Sequence, residues 1–247
     1  MVSISETLTE RAATTVQRDI LAGVLLPDAK LRIHELVTRL GIGATPIREG
    51  LSRLAAQGLV QAIGQRGFRV ASVSRQDLED ITRTRTLIEV EALRLSIARG
   101  DDKWEAAIVA ALHRMRKFTG RATGPFREGA AEYDVVHKEF HTSLIAACGS
   151  SRLLELHSAL YDQAYRYRRV MIATFERPRT LEDEHRALAD LVLARDCERA
   201  SARLADHLAS TLRIVYPDAK KMKMEERHHE DIVEGRPRRR AVGGNRR

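Results

Sequence analysis

Cysteine is almost absent: the 247 residues hold two, Cys148 and Cys197, each isolated. That excludes a disulfide framework and fits a reducing, cytoplasmic compartment. Aromatic residues make up only 4% of the chain, too few for the ring-stacking surface of an RNA binder. No apolar run approaches the roughly 20 residues that span a bilayer, and the N-terminus MVSISETLTERAA lacks the apolar centre of a signal peptide. No internal repeat occurs at solenoid periods. What is present is enough hydrophobic residue, 43%, to build a real core in one large or two modest domains. The formal net charge of +8 favours an anionic partner, nucleic acid before an acidic membrane surface, although the C-terminal tail carries part of that surplus.

The stretch Ile33 to Ala56 organises the N-terminal part. Ile33, Leu36, Val37 and Leu40 recur at helical spacing, Gly41 and Gly43 mark a turn, and Ile47, Leu51 and Leu54 form a second apolar stripe. Thr45 is expected to cap the second helix, with Pro46 at its first position. Arg48, Ser52 and Arg53 fall off the stripe and give that helix a polar, basic outer face. A helix over 6–22 precedes this unit. Two short strands, 59–63 and 68–71, follow it around a hairpin tip at Gly64-Gln65-Arg66-Gly67. Helix, helix-turn-helix and hairpin make a winged helix. An arginine at the wing tip can reach a phosphate or enter a minor groove.

The matching residues are Ile20-Leu21-Ala22-Gly23, Leu31, Glu35-Leu36, Leu40-Gly41, Thr45-Pro46-Ile47-Arg48-Glu49, Leu51, Leu54, Gly58-Leu59-Val60 and Gly67-Phe68-Arg69-Val70. In that order they resemble the DNA-binding domain of the GntR family of bacterial regulators, over nearly all of residues 8–73. The resemblance implies DNA contacts from His34, Thr45, Pro46, Arg48, Arg53, Arg66 and Gly67, with Thr45, Arg48 and Arg66 carrying most of them. The family often has Ser-Arg just before Thr-Pro, the arginine reading a base. Here that pair is Gly43-Ala44, so the operator sequence is expected to differ.

From Ser74 to Tyr216 the pattern is helical. Six segments are expected, at 75–98, 104–118, 126–148, 151–174, 181–194 and 198–215, with breaks at Gly100, the loop 120–124, Gly149 and Arg177-Pro178. The fold class is therefore mainly α: an N-terminal winged helix-turn-helix followed by an all-α six-helix antiparallel bundle. Domain boundaries are expected at 1–73, 74–216 and a basic, disordered tail at 217–247. In the bundle, His137 and His141 lie four apart on one helix face, with Asp134 one turn earlier, and antiparallel packing can bring His185 and His207 beside them.

Phe140-His141-Thr-Ser-Leu144, Ala147 with Gly149-Ser150, Glu184-His185-Arg-Ala-Leu188 and His207-Leu208 resemble the FCD ligand domain of FadR-like regulators. That resemblance implies a divalent metal on three histidines, matched by His141, His185 and His207, and on an aspartate whose position is held here by His137. Replacing a carboxylate with an imidazole favours zinc or nickel over manganese. Asp134 is then either a substitute ligand or an outer partner. The resemblance also implies a small carboxylate effector, bound by Arg85; from the run Tyr165 to Arg169 on the facing helix, Arg168 is a second candidate, with Tyr165 and Tyr167 as candidates to line the pocket.

The expected protein is a homodimeric, sequence-specific transcriptional regulator, a repressor on an inverted-repeat operator, controlled by a small organic acid near the metal, and not an enzyme. Two rivals stay open. One is a helical-bundle metallohydrolase with an accessory DNA-binding domain, against which the sequence offers no nucleophile–base arrangement. The other is a DNA-binding protein that needs no ligand.

Overall fold

A computed structural model describes residues 6–120, 130–174 and 178–217, and their side chains except those at 65, 130, 131, 168–174 and 178–181. The chain opens with α1 (Leu8–Leu21). Thr7 starts it through a capping box: its hydroxyl accepts from the Glu10 N–H, and the Glu10 carboxylate accepts from the Thr7 N–H. Next come β1 (Lys30–Leu31), α2 (Ile33–Leu40) and α3 (Ala44–Ala56). Gly41 turns the corner after α2 with φ +63°, a left-handed conformation that glycine adopts without a Cβ penalty. The expected Thr45 cap is not formed. Gly43, in extended conformation, is the cap residue, and no side chain bonds the first turn of α3. Thr45 and Pro46 therefore sit inside that turn. Proline is tolerated there because the first four N–H groups of a helix have no intrahelical partner.

Strands β2 (Val60–Ala62) and β3 (Phe68–Val70) form the expected hairpin, joined by a single 3₁₀ turn at Gly64–Arg66. Sequence reading missed β1, which joins β3 as Lys30↔Arg69 and Leu31↔Phe68 to give an antiparallel sheet of order β1-β3-β2. Two residues carry no readable alternation, so only the tertiary pairing defines this strand. Ala12, Val16, Leu36, Ile47, Leu51, Leu59 and Val70 close one apolar core around these elements.

The six expected bundle helices are all present: α4 (Arg75–Arg99), α5 (Asp102–Thr119), α6 (Ala130–Ile145), α7 (Ser151–Thr174), α8 (Pro178–Leu193) and α9 (Cys197–Val215). Ser74 caps α4 and Asp101 caps α5 through their side chains. Pro178, expected to be a breaker, is instead the first residue of α8, where its missing N–H costs nothing. The expected loop beyond Gly120, the expected helix start at 126–129 and the tail beyond Pro217 lie outside the described residues. α4 packs on α7 and α9, and α5 on α6 and α8. A second core, including Leu93, Ile108, Phe140, Leu144, Leu188, Val192 and Leu204, fills the bundle. Among the described residues, no helix is long and apolar enough to cross a membrane.

The orientation of α3 rests on a close backbone approach. A Cβ on Gly50 would lie 3.0 Å from the Ala13 nitrogen and 3.1 Å from the Thr9 carbonyl oxygen of α1. Gly50→Val is expected to destabilise the protein by roughly 1–3 kcal/mol through overpacking, measured as a lower midpoint of urea unfolding.

Candidate functional site

The structure presents two places where chemistry can happen. The first is the outer face of α3 with the wing. Ile47, Gly50, Leu51 and Leu54 point inward and are buried, which leaves Thr45, Arg48, Ser52 and Arg53 exposed. Arg48 and Arg66 are exposed and, among the described residues, form no ion pair with the protein's own carboxylates. They are therefore open to an external anion. Arg53 differs: its guanidinium lies 3.8 Å from Glu10 on α1, so part of its charge is already answered. Glu49 is turned to α1 and accepts from the Thr9 hydroxyl at 2.8 Å. His34 is exposed at the start of α2, beside Glu35. Pro46 is half-buried in the first turn of α3. Gly67, at φ +90°, lets the chain re-enter β3 directly after Arg66.

The second place is the interior of the bundle. His137 and His141 from α6, His185 from α8 and His207 from α9 offer ring nitrogens that all lie within 4.8 Å of one another. His137, His141 and His185 are buried. These are the four histidines expected from the sequence. Burial comes first, and the neighbouring imidazoles second, in pushing His137 and His141 well below the ordinary imidazole range, so both rings are neutral.

The hydrogen bonds fix which nitrogen faces the cluster. The Tyr161 hydroxyl on α7 donates to Asp134 Oδ1 at 2.9 Å, so its lone pair meets His137 Nδ1 at 2.7 Å. His137 Nδ1 therefore carries the proton and Nε2 carries the lone pair. That Nε2 lies 2.9 Å from His185 Nε2. His207 Nδ1 lies 3.5 Å from Glu184, which likewise turns its Nε2 edge to the cluster. Asp134 is thus an outer partner reached through Tyr161, and His137 fills the place among the four.

Both ring nitrogens of His141 are buried with no hydrogen-bond partner among the described residues. A buried polar group left unpaired costs about 1–3 kcal/mol, so such a ring needs an explanation. Four imidazoles whose ligand nitrogens lie within 4.8 Å of one another, His141 among them, fit a borderline divalent cation: the donors are the right type and number, and a tetrahedral zinc site would set ligand nitrogens roughly 3.3 Å apart.

Arg85 lies beside this centre. It is buried, donates through Nε to Glu89 at 2.7 Å and stacks over the Tyr161 ring at 5.4 Å. Its terminal nitrogens make no other hydrogen bond among the described residues. Burial alone would raise the Glu89 carboxyl, but the charge of Arg85 and the adjacent His157, 3.1 Å away, outweigh it and hold Glu89 down to about 2. The second expected arginine, Arg168, has its side chain outside the described residues. Tyr165 is buried, whereas Tyr167 turns away from the expected pocket: its hydroxyl accepts from the Ser74 N–H at 2.8 Å and donates to Asp77 at 2.7 Å. Sequence reasoning missed Tyr161, Glu89 and His157. Of these, only the Arg85–Glu89 pair at spacing four left a readable trace.

Comparison with known proteins decides the family. Residues 8–70 match the family of bacterial regulatory proteins called gntR, and residues 80–210 match the FCD domain. The chain belongs to the GntR family of regulators that carry an FCD domain. It is 39% identical to the HTH-type transcriptional repressor GlaR of Escherichia coli K12, across 81% of this chain and 92% of that protein. It is 37% identical to the HTH-type transcriptional regulator BphR of Paraburkholderia xenovorans LB400, across 84% of this chain and 85% of that one. Two solved structures share the fold at 21% identity. E. coli McbR/YncC does so with a TM-score of 0.70 over 85% of this chain and 97% of its own. A GntR regulator from Rhodococcus sp. RHA1 does so with a TM-score of 0.68 over 84% of this chain and 96% of its own. The chain is accordingly a DNA-binding transcriptional regulator and not an enzyme. That removes the metallohydrolase reading.

The buried imidazoles imply a pH dependence. The folded pKa values of His137 and His141 are depressed, so below the ordinary value of about 6.5 the unfolded chain binds protons that the folded chain refuses. Stability is present above that value and is lost as pH falls through it. The melting temperature of chelator-treated protein is expected to drop between pH 7.5 and pH 5.5, and His141→Phe is expected to flatten that drop.

Proposed function

We propose that this regulator is a repressor whose hold on its operator is set by a divalent metal and a small carboxylate in the FCD domain. The observation that carries the reading is the buried cluster of four imidazoles, with His141 unpaired on both nitrogens. His137, His141, His185 and His207 would hold the metal. A four-imidazole set brings no negative charge, which favours zinc or nickel over oxygen-seeking ions. When bound, the metal supplies a Lewis-acid centre for a carboxylate oxygen. Arg85 then offers its free guanidinium edge to the same carboxylate, with planar, directional hydrogen bonds. Glu89 and His157 keep that guanidinium turned inward, and Tyr161 keeps His137 in the tautomer a metal requires.

At the other end, Thr45, Pro46, Arg48 and Arg53 on α3 would meet the major groove, with Arg66 and Gly67 at the wing and His34 near the backbone. Gly43-Ala44, where relatives keep Ser-Arg, removes one base contact and shifts the preferred operator. A winged helix reads one half-site, so we place the protein on an inverted repeat as a homodimer in the cytoplasm. Residues 1–73 serve as the DNA-binding domain and 74–216 as the ligand and dimer domain, and the basic tail from 217 is a solvated extension. The similarity to GlaR, a transcriptional repressor, supports the direction of control.

Two experiments test the parts separately. Arg48→Ala is expected to weaken binding to a selected operator about tenfold or more at fixed salt, with the melting temperature unchanged; unaltered affinity in that titration would contradict the role of α3. His185→Ala is expected to lose bound metal by elemental analysis of protein equilibrated with zinc. Full metal content in that variant would dispose of the centre, and operator binding indifferent to chelator and to every acid tried would favour a regulator without ligand.

A further inference from the structure

Helix α7 touches both functional ends of the molecule within two turns, residues 161–167. On its inner side, Tyr161 is fully buried and hydrogen-bonded to His137 Nδ1 at 2.7 Å and to Asp134 at 2.9 Å. Toward the winged helix, four residues of α7 make further contacts. Asp162 accepts from the Gln17 side chain of α1 at 2.8 Å, and also from Lys138, the neighbour of His137, at 2.6 Å. Gln163 donates to the carbonyl of Gln57, the cap residue of α3, at 2.8 Å. Arg166 donates to the carbonyls of Ala71 at 2.8 Å and Ser72 at 3.3 Å, in the strap between β3 and α4. Tyr167 accepts from the Ser74 N–H and donates to Asp77 at the start of α4. The fit against α3 is tight: a Cβ on Gly58, at φ +73°, would lie 2.7 Å from Gln163 Nε2.

We infer that residues Tyr161–Tyr167 of α7 are the coupling element that passes the state of the histidine cluster to the winged helix. The inference rests on the reading of that cluster as a metal centre. His137 is the input. Its Nε2 is hydrogen-bonded to His185 at 2.9 Å, its Nδ1 to Tyr161, and the first contact has to open to the roughly 3.3 Å separation of two ligands on one ion. The ring cannot shift without pulling Tyr161, because a hydrogen bond of this length weakens quickly when stretched. A helix moves as a body, by about 1–2 Å in switching proteins, so a displaced Tyr161 carries Asp162, Gln163 and Arg166 with it. Those three hold α1, the end of α3 and the strap, all through backbone carbonyls or uncharged amides that follow or let go. By linkage the coupling works in both directions, and DNA on α3 changes metal affinity by the same factor.

Hydrogen exchange of the full chain, with and without zinc chloride, tests this without needing the operator. Zinc is expected to change exchange at least threefold in segments 55–60 and 70–77 as well as in the bundle. The double variant Gln17→Ala/Gln163→Ala, which removes two surface contacts and no core side chain, is expected to bind the same amount of zinc yet confine the change to the bundle. Tyr161→Phe, which loosens the hold on His137 and so weakens zinc uptake, is expected to confine the change to the bundle when compared at the zinc concentration that fills its own site. Zinc bound by the histidines with no change in the winged helix of the unaltered protein overturns the coupling and leaves the metal centre standing. So does a full response in both variants. No zinc bound by the unaltered protein overturns the centre and its output together.

Discussion

Four imidazoles packed into the dry centre of a helical bundle are the constraint on which the rest of this structure depends. Each ring brings two nitrogens that want partners, and hydrocarbon offers none. The fold answers several of them one by one: Tyr161 and behind it Asp134 for His137, Glu184 for His207, and the facing ring for His185. His141 is left with neither nitrogen satisfied. Burial holds His137 and His141 neutral, and the ligand nitrogens of all four rings lie within 4.8 Å of one another. An apolar core at this place would be more stable and simpler to build. Keeping the rings therefore points to ligation, and the outer partners point the same way because they select the tautomer that turns a lone pair inward.

The same constraint explains the ion pair beside the cluster. A buried cation costs several kcal/mol unless answered. Arg85 is answered by Glu89 along one edge only, and it stays within reach of the histidines through the Tyr161 ring. The guanidinium is thus held in the interior without leaving a bare charge, as the proposed anion site requires. The winged helix needs no comparable device. The outer face of α3 and the wing is solvated, with Arg48 and Arg66 forming no ion pair among the described residues, and the angle of α3 on α1 is set through Gly50. The two ends meet along α7, which is buried against the cluster on one side and bonded to backbone of the winged helix on the other.

Much of this was legible before folding. The apolar spacing of Leu36, Ile47, Leu51 and Leu54 predicts the helix-turn-helix, and all four are buried in one core. The four histidines are readable because three helices carry them at positions that an antiparallel bundle brings together. What escaped the sequence depends on tertiary contact. β1 is two residues long and exists only through its pairing with β3. Thr45 has the right chemistry for a cap, yet the backbone places Gly43 there. Tyr161 lies in a run with Tyr165 and Tyr167, and nothing local tells which of the three meets the histidines and which meets the strap at Ser74.

The central claim is that these four imidazoles bind one divalent metal ion. X-ray absorption at the zinc edge, on full-length protein loaded with one equivalent, tests it most directly. The account predicts tight uptake of that equivalent and a shell dominated by imidazole nitrogens at roughly 2.0–2.1 Å. That shell is expected to be lost when His141 and His185 are both replaced by alanine. A shell of oxygen ligands, or the same spectrum in the double variant, would contradict it.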